Sequence, residues 1–115
     1  MQYLLLIYED ERSYQTEGAV EAIIAEHNVF AGEAAAAGVL RGGNGLKETA
    51  TATTVRARNG SRSVHDGPFA ETHEQLGGYY LLEVANLDEA IAWARKLPLA
   101  KDGSVEIRPV IEMPE

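Results

Sequence analysis

Residues 2–9, Gln-Tyr-Leu-Leu-Leu-Ile-Tyr-Glu, are apolar in both of their alternating sets. A strand sends successive side chains to opposite faces, so Tyr3, Leu5 and Ile7 fall on one side and Leu4, Leu6 and Tyr8 on the other. A second run, Gly77 to Ala85, repeats the pattern with Tyr79 and Leu81 set against Tyr80 and Leu82. A sheet built on these strands has two faces to bury. The chain of 115 residues has room for one domain, spanning 1–115, and only two of its segments have helical period. From Glu17 to Ala37, the residues Val20, Ile23, Ile24, His27, Phe30, Ala31 and Ala34 share one stripe. Leu87, Ala90, Ile91, Ala94 and Leu97 form the other, opened by Asn86 with Glu89 three residues on and ended by Pro98. Two helices cover one face of a sheet. A monomer would leave the second face exposed, which soluble proteins avoid. The simplest remedy is a second copy packed sheet to sheet, so the pattern predicts a homodimer.

The remaining segments complete the plan. Glu9 to Thr16 is a polar loop, and Gly38 is placed for a left-handed helix stop. Arg41-Gly42-Gly43-Asn44-Gly45 reads as a flexible connection. Thr51 to Arg58 is a strand, Asn59-Gly60 a tight hairpin turn and Ser61 to His65 the returning strand. Val105, Ile107, Pro109 and Ile111 alternate as a last strand. The order is strand, helix, hairpin, strand, helix, strand. This is an α+β, ferredoxin-like split βαβ with an extra hairpin, its helices on one face of an antiparallel sheet.

The formal charge of −8 repels phosphate backbones and anionic lipid, so nucleic acid and membrane surfaces are not expected partners. No apolar run approaches the roughly 18 residues of a spanning helix. The first residues lack a cationic start and a small-residue cleavage site, which makes the cytoplasm the expected compartment. The absence of cysteine removes disulfides and thiolate nucleophiles.

Asp66-Gly67-Pro68-Phe69-Ala70-Glu71-Thr72, followed by Gln75-Leu76-Gly77-Gly78-Tyr79-Tyr80, joins a turn to a strand. Asp bonds its own downstream backbone, Gly permits positive φ and Pro fixes the next φ. These residues resemble the signature of the YCII-related family in its DGPF-domain branch. The likeness extends through Tyr3 to Tyr8, Ala37 to Leu40 with Gly43, Ala50 to Arg56, Asp88 to Ala90 with Trp93-Ala94, and Val105 to Val110. It implies the dimeric α/β-barrel arrangement of that superfamily. It also implies a pocket formed by a first-helix His and an Asp ending the hairpin strand, which here match His27 and Asp66. Relatives of this kind are often encoded near a sigma factor of the extracytoplasmic-function type, and one member of the wider family is a dehydrochlorinase acting on a chlorinated hydroquinone. The chain departs from the pattern at His65 and His73.

His27 sits mid-stripe, with Ile23, Ile24, Phe30 and Ala31 three or four residues away. A buried imidazole needs partners for its ring nitrogens. A carboxylate partner would make it a general base, and Asp66 is the candidate. The plain reading is a core His capped by a backbone carbonyl. Tyr8, Tyr79 and Arg108 are candidate substrate-binding residues on strands: tyrosines can line a pocket, and an Arg can hold a carboxylate. As plain structure they are core or interface tyrosines and an ion pair of Arg108 with Glu106 of a neighbouring chain or with Glu83. Glu71 is a second acid in the loop. The glycine run lacks the ending of a P-loop, no serine lies in a nucleophile elbow, and His27, His65 and His73 lack metal-ligand spacing. No metal or cofactor is expected. Two functions of different class fit. One is a binding protein that holds a small acidic or phenolic ligand in a His/Asp pocket, in a regulatory role. The alternative is a cofactor-independent, lyase- or dehalogenase-like enzyme in which His27 and Asp66 move a proton.

Overall fold

The computed structural model describes residues 1–113. The strands and helices are β1 (Gln2–Glu9), α1 (Ala19–Ala36), β2 (Leu40–Gly45), β3 (Thr53–Arg58), β4 (Ser61–Asp66), β5 (Gln75–Glu83), α2 (Leu87–Ala94) and β6 (Ser104–Pro109), with 3₁₀ turns at Glu11–Tyr14 and Thr49–Thr51. Four strands form an antiparallel sheet in the order β2-β5-β1-β6, and β3 and β4 make a two-stranded sheet of their own. The fold is α+β. No helix among the described residues is long and apolar enough to cross a membrane.

The period-two pattern of β1 sorts its residues cleanly. Tyr3, Leu5, Ile7 and Glu9 are buried, whereas Gln2, Leu4, Leu6 and Tyr8 are half-buried. The buried set meets Leu82 and Val84 of the β5 side and Phe30, Ala34, Ala90 and Leu97 from the helical side, in one core. Leu5 and Leu82 are wholly enclosed. Both helices therefore serve one face. The second helix starts as its sequence predicts: Asn86 Oδ1 accepts from the Glu89 N–H at 3.0 Å, and Glu89 returns a carboxylate oxygen to the Ala85 N–H at 3.0 Å. Of α1 only Phe30 and Ala34 are fully buried, and Val20 and Ile24 at its N-terminal end are exposed. That half of the predicted stripe does not reach the core.

The glycine run is a correction. Arg41 to Gly45 is not a flexible connection but most of strand β2, paired with β5. The reason is steric. A Cβ on Gly43 would lie 2.6 Å from Tyr80 Cδ1 and 2.9 Å from the Tyr79 carbonyl oxygen, so only glycine lets this edge strand close on β5. Several boundaries also move. β3 begins at Thr53, because the preceding threonines wind into a 3₁₀ turn; β5 begins at Gln75; and β6 ends at Pro109, leaving Ile111 exposed. The Asn59-Gly60 turn has φ of 47° and 84°, the two positive values of a type I′ hairpin. Gly38 stops α1 with φ 75°.

The molecule is a slab of 47 × 44 × 19 Å with a radius of gyration of 16.0 Å. A compact domain of this length has a radius near 13 Å. Its surface of 8092 Å² exceeds the roughly 6,200 Å² of a compact monomer of its mass by about 1,900 Å².

Candidate functional site

The residues singled out by sequence are placed in three separate locations. His27 belongs to α1, on the helix-covered side of the sheet, and is half-buried. Its Nδ1 lies 2.9 Å from the Tyr80 hydroxyl, and the two rings stack with centroids 5.8 Å apart. Phe30 packs on the other side of the Tyr80 environment at 4.8 Å. Burial lowers the pKa of His27, opposed by the negative charges of Glu9 and Glu26, and burial raises that of Tyr80. The expected carboxylate partner is thus replaced by a phenol. Asp66 ends β4, opposite Thr53 in the separate hairpin, and is exposed.

Below His27 is a group that the sequence reading did not select. Glu9 is the one buried charged side chain among the described residues. It accepts hydrogen bonds from the Tyr14 hydroxyl and the Ala100 N–H, tying the first 3₁₀ turn and the loop after α2 to the end of β1. Burial, and then the bond to Glu9, raises the Tyr14 pKa. Its signal was present in the sequence: Glu9 continues the Tyr3, Leu5, Ile7 alternation onto the core face.

Tyr8, Tyr79 and Arg108 all stand on the opposite, open face of the sheet. The register lays two rows across it, Asn44–Tyr79–Leu6–Glu106 and Gly42–Leu81–Leu4–Arg108. Asn44 donates to the Tyr79 hydroxyl at 2.9 Å. The Tyr8 hydroxyl donates to Glu106 at 3.4 Å, and Arg108 pairs with Glu106 at 3.7 Å. Burial, with the nearby Glu106 charge, raises the Tyr8 pKa. Leucines occupy the centre of this face and polar groups its edges, and Arg108 pairs with Glu106 of its own strand rather than with Glu83 or another copy's Glu106 as its plain role anticipated.

The Asp-Gly-Pro corner lies where the hairpin leaves the sheet. Gly67 has φ 111°, and its N–H donates to the Ala52 carbonyl at 2.7 Å. Thr54 donates to the Gly67 carbonyl at 2.8 Å and Arg56 to the Phe69 carbonyl at 2.9 Å, with the guanidinium 5.2 Å from the Phe69 ring centre. Between this corner and the sheet edge opens a cleft of about 970 Å³. Tyr8, Leu46, Phe69 and Leu76 give it apolar walls; Thr51, Thr53, Thr54 and Thr72 add hydroxyls, and Lys47, Glu48, His73 and Glu74 add ionisable groups. Glu11 holds its floor by accepting from the Thr49 N–H at 2.7 Å and the Thr49 hydroxyl at 2.9 Å. Among the described residues no three His, Asp or Glu side chains gather as a metal site would require.

Comparison with known proteins agrees with the whole-chain likeness. The YCII-related domain matches residues 1–114. An uncharacterised protein of Rhizobium meliloti (strain 1021) is 40% identical over 114 residues, covering 96% of this chain and 92% of that protein. With nearly its whole length matched in this way, the chain belongs to the YCII-related family.

Proposed function

We propose that this chain is a ligand-binding member of the DGPF branch. It works as a homodimer whose open sheet faces stack into an α/β barrel, and it holds a small hydroxylated aromatic molecule in the cleft at the Asp-Gly-Pro corner. The four-stranded order with both helices on one side is read as ferredoxin-like. The observation that carries the binding reading is the cleft itself, with aromatic and aliphatic walls, threonine side chains and two glutamates against one lysine. A phenolic ligand fits that lining better than a carboxylate, which the overall charge of −8 repels. The acid–base alternative loses its geometry within one chain, since His27 bonds Tyr80 and Asp66 stands on the separate hairpin.

The test is a thermal-shift screen of phenols and aromatic acids on the full chain and on Phe69→Ala and His27→Ala. Ligand at a hundred times its Kd adds about 2.7 kcal/mol, a rise in Tm of roughly 10 °C for a chain of this size. A phenol should give that shift in the wild type and in His27→Ala and lose most of it in Phe69→Ala. A shift lost in His27→Ala and kept in Phe69→Ala would return the site to the helix-covered face and sink this reading.

A further inference from the structure

The hairpin β3–β4 is amphipathic in the wrong sense for a free-standing element. Its register pairs Thr53 with Asp66, Val55 with Val64 and Ala57 with Arg62 on one face, and Thr54 with His65, Arg56 with Ser63 and Arg58 with Ser61 on the other. The polar face is the one turned toward its own chain: Thr54 and Arg56 are half-buried and bonded to Gly67 and Phe69. The apolar face looks outward. Val55 and Val64, directly opposite each other, are 60% and 67% exposed. Neither strand packs substantially on a helix or on the four-stranded sheet. A lone two-stranded hairpin is marginal in water, and a cross-strand pair of β-branched residues is a poor choice for a solvated surface.

We propose that this hairpin is an arm that lays its Val55/Val64 face on the body of a second copy of this chain. The proposal rests on the dimer reading above and adds to it a contact that the stacked sheet faces do not supply. Charge and area choose the occupant. Three arginines against one aspartate give residues 53–66 a net +2, leaving −10 on the remainder of a chain whose total is −8. Two arms meeting would set like charge against like, whereas an arm meeting an acidic body joins opposite charges. Arg62, on the same face as Val55 and Val64, has no ion-pair partner among the described residues, so it is available to that body. The surface excess of about 1,900 Å² over a compact monomer is more than the roughly 800 Å² that one partner contributes to a standard interface, leaving room for an arm contact beside a sheet contact.

The test uses the full chain and its lack of cysteine. Val64→Cys, carrying a thiol-linked benzophenone, should give an intermolecular cross-link on irradiation, mapping to an acidic segment of the other copy. Val64→Asp and Arg62→Glu should each raise the dimer dissociation constant at least tenfold by sedimentation, and the charge variant should flatten its salt dependence. Circular dichroism and a Val64→Thr variant, which keeps the strand and should associate nearly as wild type, guard against unfolding. A dimer without a cross-link from position 64, and unmoved by Val64→Asp, overturns the arm while the sheet-face dimer stands. Association only with an unrelated acidic macromolecule overturns it too. A monomer at all concentrations overturns both readings.

Discussion

The two faces of one strand, β1, carry similar side chains into opposite surroundings. Tyr3, Leu5 and Ile7 are sealed under α1 and α2, whereas Leu4, Leu6 and Tyr8, equally apolar, are only half-covered. Alternation alone cannot tell these faces apart, because both satisfy the same period. What separates them is the count of helices, together with the polar groups at the edges of the open face, where Asn44, Glu106 and Arg108 flank the leucines. A leucine core with a polar margin is the anatomy of an interface rather than of an interior.

Truncation should break the symmetry most strongly. Leu5→Ala empties a wholly enclosed site and should cost about 2–5 kcal/mol. Leu4→Ala, one residue away on the open face, should cost about 1 kcal/mol or less in dilute protein, where the proposed dimer would be dissociated. Urea melts of both at low and high protein concentration check this. The Leu4→Ala deficit should grow with concentration, and the Leu5→Ala deficit should be as large in dilute protein as in concentrated. Equal costs in dilute protein would mean that the open face is as closed within one chain as the helical one.

The glycines of β2 give a finer contrast. Gly43 faces Tyr80 and Gly42 faces Leu81, on opposite sides of the sheet. A methyl at 43 meets the Tyr80 ring and a backbone oxygen, while at 42 there is nothing within 4 Å. Gly43→Ala should cost roughly 2 kcal/mol and displace the phenol from His27. Gly42→Ala should change stability by less than about 0.5 kcal/mol. The imidazole NMR signals of His27, read in both variants, should shift only in Gly43→Ala.

The sheet strands, the turn at Asn59-Gly60 and both helices were legible because each depends on local periods and local turn chemistry. β2 was not, since its glycines carry no apolar pattern and are required by a ring 37 positions away in sequence, that of Tyr80 facing Gly43. The site was legible in part. The resemblance implied a pocket at His27 and Asp66, whereas within one chain His27 bonds Tyr80 and Asp66 stands exposed on the hairpin, and it is Tyr8, Pro68 and Phe69 that line a cleft at the Asp-Gly-Pro corner. The pairing of His27 was not legible, because a helical position specifies a face but not which strand residue stands beneath it. Tyr80 and Tyr79 are neighbours in sequence and lie on opposite sides of the sheet, so one residue of register decides which phenol meets the imidazole.

That register also gives His27 a measurable pH dependence, the smallest effect and the one most specific to the covered face. Burial depresses its pKa in the folded state, while in the unfolded chain it titrates near 6.5. Below that value the unfolded state binds the proton more readily, so stability must rise with pH through this range. The contribution is complete above about 6.5 and is lost as pH falls toward the depressed folded value. Urea midpoints of the wild type should therefore fall between pH 7.5 and 5, and the difference between wild type and His27→Gln should shrink over the same interval. Tyr80→Phe removes the hydroxyl facing Nδ1 but keeps the covering ring. If burial sets the shift, that variant should retain most of the pH dependence. If it becomes flat, the hydrogen bond rather than desolvation holds the imidazole neutral.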